Sequence, residues 1–331
     1  MVTTPGGAPL LKESTDRGHM PDRENAGPCF CVDLTLNESG KLYVAGDNDV
    51  SVVDIETNTV VATIAVGGTP EQVAFTPDGS FAYVANRDSD HVSVIDTATR
   101  TVVDSVPVGG PSKSLVMSPD GTKCYVGGEN TLWVIDPASN SVSANIPIDP
   151  AIYDSGSVLD LAITPDGGKV YASLFPYGGI LVIDAATNTI VNNIGWAEIT
   201  ELKLSPDGTR LYVVDQIDAE ISVIDTATDG NIATIHTDDE ILFGMGITPD
   251  GARIYTGGFN NISVVDIATE AVIATLPYAG CYDIEFSPGG TRAYVQSRSG
   301  TRDLLVFDTA ANTLIATLPG IYGDITIAPN L

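Results

Sequence analysis

Apolar and polar residues alternate along most of this chain in short segments that are typical of β-strands. One such segment begins at Val73 and runs into the turn TPDG at 76–79, after which a second segment carries Tyr83. Proline presets the backbone for the second turn position, and Asp-Gly accepts the remaining turn geometry. The turn glycine recurs seven times, 39 to 46 residues apart, at Gly40, Gly79, Gly121, Gly167, Gly208, Gly251 and Gly290.

Each repeat continues with two more segments of the same kind. The second segment carries a tyrosine in all seven repeats, and the third ends in an aspartate that can close the next turn with its own side chain. Four strands in a period of about 40 residues are what one propeller blade requires. The chain is therefore predicted to be all-β, a seven-bladed β-propeller of four-stranded antiparallel blades over residues 29–331, with residues 1–28 as a polar, flexible tail.

The sequence allows two ways to close the ring, because the first strand occurs in eight copies and the other strands in seven. Val32–Leu36 at the beginning of the chain and Ile325–Ala328 at its end compete for one place. The N-terminal copy adjoins its partner strand through a short loop, which costs less entropy to close. We expect the N-terminal copy to fill the place.

The repeat resembles the YVTN-type β-propeller family. The similarity is carried by Tyr83-Val84-Ala85-Asn86, by the stretch from Val94 to Thr99 and by the TPDG turns, and it extends from about residue 29 to the end. The resemblance implies the propeller fold and a C-terminal strand that completes the first blade. It implies no single activity, because that family includes surface-layer proteins, subunits of redox enzymes and lactonase-like propellers.

The charge of the chain restricts its partners. Forty-three acidic residues against 15 basic ones give a formal net charge of -28. This charge makes nucleic acid and anionic membrane poor partners and favours a small-molecule or cationic ligand. No apolar segment is long enough to span a membrane, and the first 20 residues lack the features of a signal peptide. We expect a cytoplasmic monomer, or a secreted protein if the sequence lacks its native start.

The innermost strands predict a polar column that faces the central channel. Every second residue of such a strand faces inward. At one level this rule selects Asp33, Gln72, Ser114, Asp160, Glu201, Gly244 and Asp283, with Asp324 on the spare copy. One step deeper lie Lys203 and Glu285, which are predicted to pair across the channel. The residues between the two levels, such as Val73, Leu161 and Met245, are apolar and are assigned to the core.

Carboxylates that converge on one channel mouth allow two chemical interpretations and a third one without a ligand. They could bind Ca²⁺ or Mg²⁺, which prefer oxygen ligands. Alternatively, a carboxyl group kept protonated by its neighbours could act as a general acid beside a general base. In the third interpretation, the carboxylates only line a water-filled polar channel that binds no ligand. For the chemical interpretations, Asp160, Glu201 and Asp283 are the predicted catalytic residues.

Aromatic residues near the same mouth are the predicted substrate contacts. The fourth repeat has the longest connection, between Ile148 and Leu159, and long loops on a rigid scaffold often carry function. Local packing of that loop explains its aromatic residues equally well. Gly244 and Gly246 could open a pocket, or could serve close packing only. The predicted contact residues are Tyr153, Phe175, Tyr177, Trp196, Phe243, Phe259 and Tyr282.

Cysteine and histidine chemistry is weakly indicated. Cys124 is predicted to be a small buried apolar residue. Cys31 and Cys281 occupy equivalent positions in neighbouring repeats, which allows a disulfide, a metal pair or two reduced thiols, and Cys29 adds a third thiol nearby. The three histidines have no metal-ligand spacing.

Two functions remain open at this stage. The first is a small-molecule enzyme without an organic cofactor, of the lyase, isomerase, cyclase or lactone hydrolase type, acting at the channel mouth. The second is a non-catalytic ligand-binding or protein-interaction scaffold. The carboxylates and the distinct fourth repeat slightly favour the enzyme.

Overall fold

The computed structural model of the protein describes residues 40–153, 156–176, 179–195, 199–216, 218–298 and 302–329. In these residues, 28 strands form seven separate four-stranded antiparallel sheets. This arrangement confirms the predicted seven-bladed β-propeller. The predicted tail, residues 1–28, lies outside the described residues.

Each blade runs from an innermost to an outermost strand. Blade 1 contains β28 (Asp324–Ile327), β1 (Lys41–Ala45), β2 (Asp49–Asp54) and β3 (Thr59–Ala65). Blade 2 contains β4 (Pro70–Phe75), β5 (Phe81–Asn86), β6 (His91–Asp96) and β7 (Thr101–Pro107). Blade 3 contains β8 (Ser114–Met117), β9 (Cys124–Gly127), β10 (Thr131–Asp136) and β11 (Ser141–Pro147). Blade 4 contains β12 (Ser157–Ile163), β13 (Lys169–Phe175), β14 (Gly179–Asp184) and β15 (Thr189–Ile194).

The remaining three blades follow the same order. Blade 5 contains β16 (Ile199–Leu204), β17 (Arg210–Asp215), β18 (Glu220–Asp225) and β19 (Gly230–His236). Blade 6 contains β20 (Leu242–Ile247), β21 (Arg253–Gly258), β22 (Ile262–Asp266) and β23 (Ala271–Leu276). Blade 7 contains β24 (Cys281–Phe286), β25 (Arg292–Ser297), β26 (Asp303–Asp308) and β27 (Thr313–Leu318).

The C-terminal copy of the first strand closes the ring. β28 pairs with β1 in antiparallel register, with Leu42 opposite Ile327 and Ala45 opposite Asp324. The expectation that Val32–Leu36 fills this place was wrong, and those residues lie outside the described part of the chain. Loop-closure entropy grows only slowly with loop length. The short hairpin therefore gave too small an advantage to decide between two strands of similar sequence.

The apolar core lies between the blades. Seven clusters of buried residues can be distinguished in the described chain, and each combines side chains from two neighbouring blades. The residues predicted to alternate with the polar column, such as Val73, Leu161 and Met245, are at most 1% exposed. A blade therefore has no core of its own, and each blade depends on its neighbours for stability.

One face of the ring, which we call the turn face, carries the turns between the first and second and between the third and fourth strands. In the first kind of turn, Thr76 Oγ1 donates to Asp78 Oδ1 at 2.6 Å, and Gly79 has a φ of 64°. In the second kind, Asp96 Oδ1 accepts from the backbone N–H of Thr99 at 2.7 Å. The aspartates that the repeat places at these turns therefore satisfy backbone donors locally.

The repeated tyrosine links neighbouring blades near the turn face. Tyr83 Oη donates to Asn140 Oδ1 at 2.5 Å, and Tyr171 Oη donates to Asp229 Oδ1 at 3.0 Å. Both acceptors belong to the outer turn of the next blade and have a positive φ, which asparagine and aspartate tolerate better than most residues. Tyr125 and Tyr255 make the corresponding bonds to Asn188 and Asn312.

The long connection of the fourth repeat contains a single helical turn, α1 (Pro150–Tyr153). Asp149 begins it, because Asp149 Oδ1 accepts from the backbone N–H of Ala151 at 2.9 Å. Tyr153 packs against the apolar cluster between blades 3 and 4. No helix in the described chain is long and apolar enough to cross a membrane.

Candidate functional site

The opposite face, which we call the mouth face, carries the connections between blades and the loops between second and third strands. In five blades the innermost strand has an irregularity in register at this end, immediately before the polar column. A β-bulge of this kind sets two residues opposite one on the partner strand. The extra residues are Glu71, Leu159, Thr200, Phe243 and Tyr282.

The predicted catalytic carboxylates are buried and bond to the backbone of the next blade. Asp160 is 2% exposed, and its Oδ2 accepts from the N–H of Leu202 at 2.7 Å. Glu201 Oε2 accepts from the N–H of Met245, and Asp283 Oδ2 accepts from the N–H of Ile325 at 3.0 Å.

Gln72 occupies the equivalent position in blade 2 and also bonds to the backbone of the next blade. Its Oε1 accepts from the N–H of Leu115 in blade 3. Since a glutamine has no titratable proton, this bond shows that joining neighbouring blades is a task of the position. Asp160, Glu201 and Asp283 share that task, whatever else they do.

The three carboxylates are close enough to affect one another electrostatically. Burial raises the pKa of Glu201 well above its usual value, Lys203 opposes that effect, and the charges of Asp283 and Asp160 add to it. Lys203 Nζ lies 3.3 Å from Glu201 Oε1 and 3.3 Å from Glu285 Oε1. The predicted pair of Lys203 and Glu285 is therefore present, and Glu201 joins it.

Gly244 and Gly246 serve close packing, and the hypothesis that they open a pocket was wrong. A Cβ atom on Gly244 would stand 1.7 Å from Tyr282 O and 2.9 Å from Glu201 Oε2. A Cβ atom on Gly246 would stand 2.3 Å from Ile284 O. The missing side chains let the innermost strands of blades 6 and 7 approach each other and leave room for the carboxylate of Glu201.

Two more acidic groups with raised pKa values lie at the mouth. Burial raises the pKa of Glu71 to about 7, although Arg87, Lys113 and Arg298 oppose it. Burial also raises the pKa of Asp324 well above its ordinary value, and the charge of Glu71 contributes. Because blades 1, 2, 3 and 7 all contribute to these effects, the groups surround one opening.

The described residues give no support to a calcium or magnesium site. They contain no group of three or more histidine, cysteine, aspartate or glutamate side chains placed to hold a metal ion. The carboxylates of the column instead direct oxygen atoms at backbone N–H groups.

The predicted aromatic contacts are only partly brought together. Phe243 of blade 6 stacks on Tyr282 of blade 7, with ring centroids 4.2 Å apart. Phe175 and Phe259 are exposed, and Tyr153 packs against the core instead of forming a wall with Phe175. Tyr177 and Trp196 lie outside the described residues.

Sequence reasoning missed the basic residues of the mouth. Arg87 Nη1 lies 2.8 Å from Glu71 Oε1, the Arg298 guanidinium lies 4.3 Å from the centroid of the Tyr282 ring, and Lys113 Nζ donates to Ser157 Oγ at 3.2 Å. Arg87 and Arg298 occupy the same position of the repeat, directly after the second strand. An alignment of the loops as well as of the strands would have revealed this pair.

The cysteine predictions are settled in part. Cys124 is fully buried, as predicted, and burial raises the pKa of its thiol. Cys281 is also a buried free thiol. Because its thiol is free, Cys281 forms no disulfide, whereas its proposed partner Cys31 and the nearby Cys29 lie outside the described residues.

A comparison with protein families finds one match. The model of a domain of unknown function, DUF5074, matches residues 33–171, which is less than half of the chain. A curated relative, the uncharacterized protein YwhL of Bacillus subtilis (strain 168), is 30% identical over 298 residues, covering 86% of this chain. The chain spans 62% of the length of that relative.

Solved structures share the fold. Kuenenia stuttgartiensis hydrazine synthase superposes with a TM-score of 0.74 at 23% identity, over 89% of this chain and 99% of that one. A functionally unknown protein from Desulfotomaculum acetoxidans gives 0.76 at 15% identity, over 88% and 99%. The dihydro-heme d1 dehydrogenase NirN gives 0.63 at 20% identity, over 87% and 75%. Together with the seven sheets, these similarities identify the chain as a β-propeller protein.

Proposed function

We propose that this propeller is a non-catalytic ligand-binding protein whose binding site is the channel mouth on the mouth face. The observation that carries the proposal is the shared bonding of the polar column. Asp160, Glu201 and Asp283 each accept a backbone N–H of the next blade, and Gln72 does so without any capacity for proton transfer. The column thus serves to hold the ring together.

The side chains outside the column support binding at the mouth. At the bulge positions the blades carry an acid, an aliphatic residue, a hydroxyl and two aromatic residues, whereas the turns of the opposite face repeat one sequence. The contacts that all blades share require the same residue type in each blade, but they do not require different residue types at the bulge positions. Specific recognition of a ligand by a few polar and aromatic groups in a concave site does require different residue types.

A small-molecule enzyme is the second candidate, and one observation favours it. Glu201 is fully buried beside Asp283, Asp160 and Lys203, and burial raises its pKa, which favours the protonated form that a general acid requires. In this case Glu201 would be the general acid of a lyase, isomerase, cyclase or lactone hydrolase type of reaction, with Asp160 or Asp283 as its base.

One experiment separates the two candidates. Small organic acids, sugars and amines are screened by thermal shift against the wild-type protein and Glu201→Gln, and every molecule that binds is recovered and analysed by mass spectrometry. We expect recovery of unchanged ligand and affinities within about threefold in the two proteins. We expect Asp160→Asn to unfold at lower temperature, because its amide cannot accept both N–H groups that Asp160 accepts.

Chemical conversion of a bound molecule by the wild-type protein, with conversion lost and binding retained in Glu201→Gln, would establish the enzyme instead. Asp238→Ala is the control, because Asp238 is an exposed carboxylate on the same face and takes no part in the column.

A further inference from the structure

Two arginines flank blade 1 at the mouth. Arg87 follows the second strand of blade 2, Arg298 follows the second strand of blade 7, and the equivalent residue of blade 1 is Gly46. Blade 1 lies between blades 7 and 2 in the ring, because the first and last strands close it. The two guanidinium groups therefore stand on either side of one blade.

Each arginine is held by the bulge residue of its own blade. Arg87 pairs with Glu71, while Arg298 lies on the ring of Tyr282, which in turn stacks on Phe243. In the described chain no carboxylate lies within ion-pair distance of Arg298, although acidic residues far outnumber basic ones. A guanidinium placed by stacking keeps its N–H donors available and loses little freedom when it binds.

Blade 1 carries glycine at two mouth positions, and a Cβ atom on Gly323 would stand 1.8 Å from Ala45 O, so this glycine serves close packing. The loop position of blade 1 is Gly46, and the residue before its column position is Gly323. Asp324 lies beneath and is 6% exposed. A separate cavity of about 280 Å³ is lined by Gly46, Asp47, Asp49, Tyr322 and their neighbours.

The remaining basic residues have other tasks. Five of those in the described chain begin the second strands of their blades, and Lys123 directly precedes another second strand. Lys169, for example, pairs with Asp229, and Arg292 bonds to Ile55 O. No such repeated contact accounts for Arg87, Lys113 and Arg298. These three basic residues lie near the buried carboxylate of Glu71, and Arg298 also acts on Asp324.

We propose that the blade 1 sector, which consists of Gly46, Arg87, Arg298, Gly323 and Asp324, binds the carboxylate or phosphate group of a small organic anion. The proposal rests on the proposed function, since it assigns a ligand class and a sector to the same mouth. The planar fork of a guanidinium matches the two oxygens of such a group, and a second guanidinium can contact the opposite side. Lys113 on blade 3 adds a further positive charge near Glu71.

The acidic neighbours do not oppose this ligand as strongly as their number suggests. Burial and the charges of Glu71, Asp283 and Glu201 raise the pKa of Asp324, and Arg298 only partly offsets them, so Asp324 carries a negative charge less readily than an exposed aspartate. The pKa of Glu71 is raised to about 7. Protonation of Glu71 removes one negative charge beside Arg87, whose Nε also lies 3.7 Å from Asp88 Oδ1, and the net charge of the sector becomes more positive.

Calorimetric titration of the full chain with succinate and with inorganic phosphate tests the proposal. We expect millimolar or tighter binding of at least one anion, and preference for succinate or for phosphate identifies the group that the site takes. Arg298→Gln and Arg87→Gln should each weaken that binding at least tenfold. Arg210→Gln is the matched control, because Arg210 is an arginine of the same exposure as Arg87 on the turn face.

The proposal is wrong if neither anion binds at 20 mM, or if both mouth variants bind as tightly as the wild type. An equal loss of affinity in Arg210→Gln would show that binding depends only on the net charge of the protein, and would also overturn the proposal. The proposed function would survive these results if the screen above finds a neutral or cationic ligand whose affinity depends on Phe243 or Tyr282, so the two failures can be told apart.

Discussion

The two faces of this ring are built from the same strands but use their acidic residues in opposite ways. On the turn face, bonds from neighbouring hydroxyl and backbone groups lower the pKa of the turn aspartates, for example those of Asp54 and Asp120 to about 2. On the mouth face, burial raises the pKa of Glu71, Glu201 and Asp324. Local hydrogen bonds to exposed carboxylates stabilise the charged form, whereas burial favours the neutral form.

The faces also differ in how far they follow the repeat. Near the turn face, the same turn and the same tyrosine bond recur from blade to blade. At the mouth, the equivalent positions of blades 2 and 7 hold an ion pair in one case and an aromatic stack in the other. Repetition therefore indicates which contacts the fold needs, and departure from it indicates where a specific ligand is to be sought.

The largest effect expected from a single substitution is at the mouth, in Gly244→Ala. The added Cβ would overlap the backbone of blade 7 at Tyr282 O, so the strands of blades 6 and 7 must separate. We expect a loss of about 3 kcal/mol in the free energy of unfolding, measured by urea denaturation. Gly230→Ala is the control, because its nearest neighbour, Thr228 Oγ1, is 3.4 Å away. A loss below about 1 kcal/mol would show that Gly244 and the backbone at Tyr282 are not tightly packed.

A second prediction concerns pH. The pKa of Glu71 is about 7 in the folded protein against an ordinary value of 4.5, so the folded state retains a proton that the unfolded state has released. Stability should therefore fall as pH rises from about 4.5 to about 7, by about 3 kcal/mol from this group. Below about pH 4, protonation of the turn aspartates should lower stability as well. The optimum should lie near pH 4.5.

Glu71→Gln tests this assignment, because glutamine keeps the size of the side chain and cannot titrate. Denaturant unfolding of both proteins at a series of pH values should show a smaller decline in the variant between pH 4.5 and 7. Parallel curves for the two proteins would assign the decline to Glu201 and Asp324 alone.

The smallest effect is expected near the turn face. Tyr255→Phe removes hydrogen bonds to Asn312 Oδ1 and Thr309 O in the next blade, and should cost about 1 kcal/mol in the free energy of unfolding. Tyr212→Phe should cost less than about 0.5 kcal/mol, because Tyr212 makes no bond to the described outer turn of blade 6, where Glu270 takes the place of asparagine. Equal losses would show that the tyrosine hydroxyl acts inside its own blade.

The repeated part of this structure could be predicted from the sequence, because each contact recurs seven times with the same residue types. Turn glycines, tyrosines and the alternation of Gln72 with Val73 all reflect local geometry. The role of Asp160 could not be predicted in this way, since its acceptor task depends on Leu202 N–H in another blade. The β-bulge before the polar column could not be predicted from the sequence either, and it brings Glu71 and Tyr282 into the mouth.

Closure of the ring by β28 has a consequence for how the protein is made. Leu42 in the first described strand is paired with Ile327 in the last one, so the partner of the first blade is synthesised after all the others. During translation the emerging blades can stack only as an open arc, in which β1 lacks the strand that pairs with it in the closed ring. Folding to the closed ring must therefore wait until the last strand leaves the ribosome, and a strand edge left open until then would favour aggregation.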